Sequence, residues 1–335
     1  MDIVKEFLKR GILISPELKV KINPEEVEEI AAKFDKKNLV LTEEHYLFLR
    51  GSKVKVLKEY KKGPEIKRID NFVDFYNKRF EFLRGLLKEK LGTEKITSIN
   101  KLSRGNATVI GMVREIKDNG FVIEDSSGSI FCVSEEKVLE DDVLAVRGRI
   151  EKNTLIEEKI FFPDIPLNRK TNFAEDDTFV YFTDNFTEKP SRVTYIFTFK
   201  IDPQNVENLN AWVITKKENI QKGPKRVCLN LPSLVEVNGV KVFMFEENLN
   251  EIGKKLGETD EKKIITALLK RRHLLPNVFR ENDPYLLKEI PDIIFTRGKE
   301  SFFLNYKGVS VISVSKGGFL VNLKTREIYD KGDSV

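Results

Sequence analysis

Between Asn106 and Phe162 the chain reads as a run of short strands broken by turn formers, and this run constrains the fold more than any other feature. The five candidates are Ala107–Ile116, Gly120–Asp125, Ser129–Val133, Val143–Ile150 and Thr154–Phe162. Asp118-Asn119-Gly120 and Ser126-Ser127-Gly128 supply residues that tolerate the backbone of tight turns, so the first three strands are joined as hairpins. Five short strands in this order, with Glu140-Asp141-Asp142 just ahead of the fourth, fit an OB-type β-barrel. In the fourth strand Leu144, Val146 and Ile150 alternate with Ala145, Arg147 and Arg149, which predicts one core face and one basic face.

The flanks have different periods. Asp2 is placed to cap a short helix ending near Arg10-Gly11, and Asn23-Pro24-Glu25-Glu26 is a stronger start signal for a second, whose apolar face is Ile30, Ala31 and Phe34. Residues 51–68 carry seven basic residues around Gly63-Pro64 and read as a solvated linker. Asp70-Asn71 opens a long helix in which Tyr76, Phe80, Leu83 and Leu87 form a stripe, with Gly92 as its stop. The stripe could cover the barrel or a partner protein, and the sequence does not choose. Pro163-Asp164-Ile165-Pro166 begins a proline-bounded connector.

From residue 170 onward strands and helices alternate. Strands are expected at Thr178–Thr183, Arg192–Lys200, Trp212–Thr215, Leu234–Val237, Val240–Phe245, Phe302–Tyr306, Val309–Val314 and Phe319–Leu323. Helices are expected at Asn248–Leu256 and Asp260–Arg272, which suits a sheet layered with helices. The expected architecture is a multidomain α+β chain: an N-terminal helical module with basic linker over 1–68, a connecting helix over 69–99, the barrel over 100–166 and a last domain over 167–335.

No apolar run approaches the roughly 18 residues that cross a bilayer, and the first residues lack the regions of a signal peptide. Cys132 and Cys228 lie far apart and form neither a ligand pair nor a disulfide framework, so a reduced, cytoplasmic protein is expected. Charged residues make up 33%, and glutamine occurs only at Gln204 and Gln221, a balance like that of proteins from hot-growing organisms. A net charge of +5 permits a nucleic-acid partner without demanding one. The last residues, Tyr329 to Val335, read as a polar tail.

Several segments together resemble one family. They are Phe7-Leu8-Lys9-Arg10-Gly11-Ile12, the helix bearing Phe72 and Arg79, Pro163-Asp164-Ile165-Pro166, Leu268-Leu269-Lys270-Arg271-Arg272-His273-Leu274-Leu275-Pro276, Glu289-Ile290-Pro291-Asp292-Ile293 and Tyr306-Lys307-Gly308-Val309. The family is the small (B-type) subunit of archaeal family D DNA polymerase. The resemblance implies a calcineurin-like phosphoesterase-type α/β sandwich, in reduced form, for residues 167–335, and a large catalytic subunit as partner. It also implies metal motifs that this chain has lost. The family's Gly-His-x-His is Gly298-Lys299-Glu300-Ser301 here, and its Asp-x-His is Asp184-Asn185-Phe186. Its Gly-Asp-x-x-Asp and Gly-Asn-His segments have no counterpart between Phe186 and Leu234, and a further histidine is replaced within Phe243–Glu247.

A two-metal phosphoesterase needs a cluster of Asp, His and Asn to hold its cations. The chain has two histidines in all, His45 and His273. No catalytic residue, metal or cofactor is therefore expected, and Asp184 is a vestige. Asp184, Glu246, Glu247 and Asp292 could still converge into an all-carboxylate magnesium site, although their spacing does not require it. Lys101, Arg104, Arg114, Arg147 and Arg149 could line a groove for single-stranded DNA, contact a polymerase subunit, or form a solvated face. Arg271 and Arg272 end a helix, where the dipole favours cations; the resemblance puts them near the old active-site edge, facing a partner or a phosphate backbone. The expected function is a non-catalytic accessory subunit in DNA replication, meeting DNA weakly or through the complex, with neither nuclease nor polymerase activity of its own. The competing readings are a 3′–5′ exonuclease with a carboxylate metal site and a free-standing single-stranded-DNA-binding protein.

Overall fold

The computed structural model describes residues 2–20, 22, 24–34, 40–42, 45–46, 54–60, 69–190, 193–206, 209, 211–221, 223, 225–276 and 282–330. The N-terminal module contains α1 (Ile3–Lys9), β1 (Leu13–Ile14), α2 (Val27–Lys33) and β2 (Val40–Leu41). Asp2 caps α1 by accepting the Val4 N–H at 3.2 Å. Phe7, Leu18, Ile30, Phe34 and Leu41 make a small core of their own, and β1 pairs with β2 in parallel. Asn23 and residues 61–68 lie outside the described residues.

The linker expectation fails over Val54–Glu59. This segment is a strand, β3, paired antiparallel with Ser233–Val237 far along the chain. Lys55 stands between Val54 and Val56 and pairs with Glu236 at 3.2 Å, so the charge pattern is that of an edge strand rather than free chain.

The long helix, α3 (Ile69–Leu91), closes with Gly92 at φ 59°. Its stripe covers the barrel: Leu83 and Leu87 are buried against Ile110, Met112, Val143 and Ala145. The barrel strands are β4 (Gly105–Lys117), β5 (Gly120–Asp125), β6 (Gly128–Val133), β7 (Val143–Glu151) and β8 (Thr154–Phe161). They pair in the ring β4-β5-β6-β8-β7, closed by a parallel contact of β6 with β8. Val109, Val113, Phe121, Ile123, Leu144, Val146 and Leu155 fill its interior. A bulge falls between Arg147 and Gly148, where a Cβ on Gly148 would lie 2.0 Å from the Ile156 carbonyl oxygen.

The last part of the chain forms, together with β3, two six-stranded sheets. One holds β9 (Phe179–Phe186), β10 (Tyr195–Ile201), β11 (Trp212–Lys216) and β12 (Arg226–Leu229), all parallel, in the order β12-β11-β10-β9. The next pair, β13 (Ser233–Val237) and β14 (Val240–Phe245), is a hairpin whose two-residue turn, Asn238-Gly239, has φ 49° and 80°, the left-handed pair of a type I′ turn. Then come α4 (Asn250–Leu256), α5 (Glu261–Arg271), β15 (Ile293–Arg297), β16 (Phe302–Tyr306), β17 (Val309–Val314), β18 (Gly318–Asn322) and β19 (Ile328–Asp330). The second sheet runs β16-β17-β15-β14-β13-β3, and β18 and β19 complete the first beside β9.

Val180, Phe182, Phe197, Phe199, Val242, Met244, Phe295 and Ile312 pack between the sheets. On the outer face of the second sheet α4 and α5 cover Phe243, Phe245, Ile294 and Val311. Parallel strands are usually joined by a crossover of a dozen residues or more, commonly a helix. Here residues 187–194, 202–211 and 217–225 join β9 to β12, and among the described residues they hold only a 3-10 turn at Pro203–Val206. That is the interval in which the resemblance finds two metal motifs missing. No described helix is long and apolar enough to cross a membrane.

Ionic contacts tie the parts together. Arg79 of α3 is 1% exposed and grips Asp283 through Nε at 2.7 Å and Nη2 at 3.0 Å, while its Nη1 donates to the Pro276 carbonyl at 2.6 Å. His273 Nε2 meets the same carboxylate at 2.8 Å. In the connector Asp164 receives Lys307 at 2.5 Å and the Tyr306 hydroxyl at 2.9 Å.

Candidate functional site

The strands around the inter-sheet core end in charge. Side chains two residues apart share a face of a strand, so the residue two places beyond each core stripe points the same way as the stripe. Val180 and Phe182 are continued by Asp184, Ile214 by Lys216, Val242 and Met244 by Glu246, and Ile293 and Phe295 by Arg297. Four charged residues are thereby delivered to the C-terminal end of one apolar layer, the usual side for ligands in open parallel sheets.

They neutralise one another. Arg297 Nε lies 2.8 Å from Asp184 Oδ1, and its Nη1 donates to Glu246 Oε1 at 3.0 Å. Lys216 Nζ donates to Glu246 Oε2 at 2.8 Å. Burial pushes the Glu246 carboxyl up, but the hydrogen bonds from Lys216 and Arg297 outweigh it and hold its pKa below the ordinary value. Phe199 stacks on Phe295 with centroids 4.5 Å apart in the same layer.

The four carboxylates considered for a magnesium site do not meet. Asp292 precedes the opposite end of β15, fully buried, where it takes Arg169 at 2.5 Å, the Asn172 side chain at 3.0 Å and the Lys241 backbone N–H at 3.0 Å. Glu247 accepts the Tyr285 hydroxyl. Only Asp184 and Glu246 come together, and among the described residues no three His, Cys, Asp or Glu side chains form a metal-holding group. Lys299 is exposed, and its backbone N–H is held by Glu261. The cations that reach the carboxylates are Arg297, two residues earlier, and Lys216, both of which sequence reasoning missed. Ile293 and Phe295 were the available signal, because a strand through them carries Arg297 inward.

The basic candidates divide into three groups. Arg147 is bound to Glu94, with its Nε at 2.9 Å, and its guanidinium lies 5.0 Å from the Phe161 ring. Arg149 pairs with Glu151, and Arg114 with Glu124 at 3.3 Å while lying over Tyr76. Lys101 and Arg104 are exposed, and Lys101 and Arg147 line one open cleft of about 420 Å³ with Lys95 and Glu94. Part of the predicted basic face is in fact apolar and covered, since Ala145 lies under α3.

Arg271 and Arg272 are inside the protein, 5% and 4% exposed, which corrects the expectation that they face a partner or a phosphate backbone. Arg271 Nε binds Asp142 at 2.9 Å and its guanidinium stacks 4.5 Å from Phe162, joining α5 to the barrel. Arg272 donates to the Leu287 carbonyl at 3.1 Å, and burial pushes its pKa down to about 10, still charged at neutral pH. The helix-end position alone could not reveal this, because the partner carboxylate lies on the barrel.

No protein-family model matches the chain. Among solved structures it is similar to the S. pombe Stn1–Ten1 complex (20% identity, 21% of this chain and 78% of that one, TM-score 0.18). It is also similar to the hypothetical protein ygiW from E. coli (20% identity, 20% and 89%, TM-score 0.19). Scores this low do not inform on fold. Among curated proteins it is similar to the DNA polymerase II small subunit of Archaeoglobus fulgidus, 22% identical over 343 residues that cover 74% of this chain and 70% of that protein. The motifs noted in the sequence agree with this relative, and the chain resembles the small subunit of the archaeal family D DNA polymerases.

Proposed function

We propose that this chain is a non-catalytic small subunit of a family D DNA polymerase, acting in DNA replication by docking on the large catalytic subunit. The observation that carries this reading is the relationship to the Archaeoglobus small subunit along 74% of the chain. In this reading residues 1–68 are an N-terminal module that lends β3 to a sheet of the last domain, 69–99 a connecting helix, 100–166 an OB-type barrel and 167–335 a reduced phosphoesterase-type domain. The ring of five paired strands supports the third assignment. The engagement of Asp184 and Glu246 by basic groups of the same chain supports the absence of hydrolysis. Nucleotide addition belongs to the large subunit. DNA binds this chain weakly on its own, since Arg114, Arg147 and Arg149 are already paired with acids. Of the five barrel candidates, Lys101 and Arg104 are left to make a contact.

Affinity capture of the tagged chain from its native extract, followed by mass spectrometry, should recover a large polymerase subunit in near-stoichiometric amount. Recovery of no polymerase subunit sinks the reading. A second assay offers the purified chain a single-stranded oligonucleotide with manganese. Nucleotide release that disappears in Asp184→Ala would establish the exonuclease instead.

A further inference from the structure

Asp184 and Glu246 stand at the strand ends where the phosphoesterase resemblance would put two metal ions, and the residues present do not fit such a centre. Two divalent cations need a full shell of oxygen and imidazole donors. Among the described residues only two carboxylates reach this spot, and no imidazole is near, since His273 is bonded to Asp283 and His45 to Thr42. Both carboxylates are already bridged by a single guanidinium, and an ammonium completes the count: two negative charges against two positive.

We propose that Arg297 and Lys216 take the place of the metal ions, forming an ionic clasp that locks the two sheets together at one end of their shared core and closes that edge to divalent cations. The clasp crosses between the sheets twice. Arg297 on β15 reaches Asp184 on β9, and Lys216 on β11 reaches Glu246 just past β14. The third contact, Arg297 to Glu246, links neighbours in one sheet. The Asp184 side chain is 11% exposed, so losing its partner would leave a poorly solvated charge facing a second one. The inference rests on the non-catalytic reading and adds what the old site now does.

Thermal unfolding of the full chain tests it, with and without manganese chloride at matched ionic strength. The unsubstituted protein should melt at the same temperature in both. Arg297→Gln should melt lower by about 4 °C or more, and adding Asp184→Asn to it should restore most of the loss, because the neutral pair has no stranded charge. If the two single losses simply add in the double variant, the clasp is wrong while the accessory-subunit reading stands. If manganese raises the melting temperature of the unsubstituted protein and Asp184→Asn abolishes the rise, both are wrong. Should Arg297→Gln fail to fold, the double variant decides: the clasp requires it to fold, and its failure where Asp184→Asn alone folds overturns the proposal.

Discussion

His273 uses its two ring nitrogens in opposite roles. Nδ1 accepts the Leu275 backbone N–H at 3.1 Å, so the proton sits on Nε2 and is donated to Asp283. Burial lowers the His273 pKa against the pull of Asp283, keeping the ring neutral at pH 7. The unfolded chain takes up this proton near pH 6.5, whereas the folded chain resists it to lower pH. Stability present above that value is therefore lost as pH falls through the window below it, at up to about 1.4 kcal/mol per pH unit. Urea unfolding at pH 7, 6 and 5 should show this slope, and His273→Gln, which keeps a donor toward Asp283, should flatten it. Asp283 behaves differently: burial raises its pKa, but His273 and Arg79 outweigh burial and bring it to about 2. Its contribution is complete above about pH 4 and fades only toward that lower value. Arg79→Met leaves the buried Asp283 carboxylate with His273 but without its cationic partner and should cost about 3–5 kcal/mol in the same measurement. The sequence marked His273 as no metal ligand and Arg79 as part of a resemblance. It could not join them, because the meeting point is an aspartate about 200 residues from Arg79.

At the scale of elements, legibility tracks the range of the interactions. The barrel strands are readable because their alternation and turns are local, and the hairpin at Asn238-Gly239 for the same reason. The strand Ile293–Arg297 is not, since five residues after a proline and a buried aspartate show too little period to separate strand from loop. Val54–Glu59 is hidden for another reason: three of its six residues are charged, and its neighbour in the sheet lies far along the chain. The docking of α3 is legible as a stripe but not as a destination. Leu87, fully buried against the barrel, should cost about 2–5 kcal/mol as alanine. Gly148→Ala drives a methyl into the Ile156 carbonyl and should cost at least 1–3 kcal/mol, roughly the penalty of overpacking. Equilibrium unfolding monitored by circular dichroism measures both.

For the whole molecule, the order of parts along the chain is readable while their attachments are not. Arg79–Asp283 and Arg271–Asp142 join helix, barrel and sandwich through carboxylates that no local pattern singles out. The N-terminal region is equally committed through β3, which covers the edge of β13. Deleting residues 1–60 bares a row of unpaired backbone groups beside Leu234 and Val235, the arrangement that recruits other chains. Light scattering on a sizing column should then report self-association that the full chain does not show. Pairing across so long a stretch also sets a timetable for synthesis. About 170 residues must be translated after Glu59 before Ser233 emerges. At ribosomal speeds of 5–20 residues per second, the first strand of that sheet waits roughly 10–35 seconds for its neighbour. Lys55 and Lys58 disfavour its pairing with other chains through the wait.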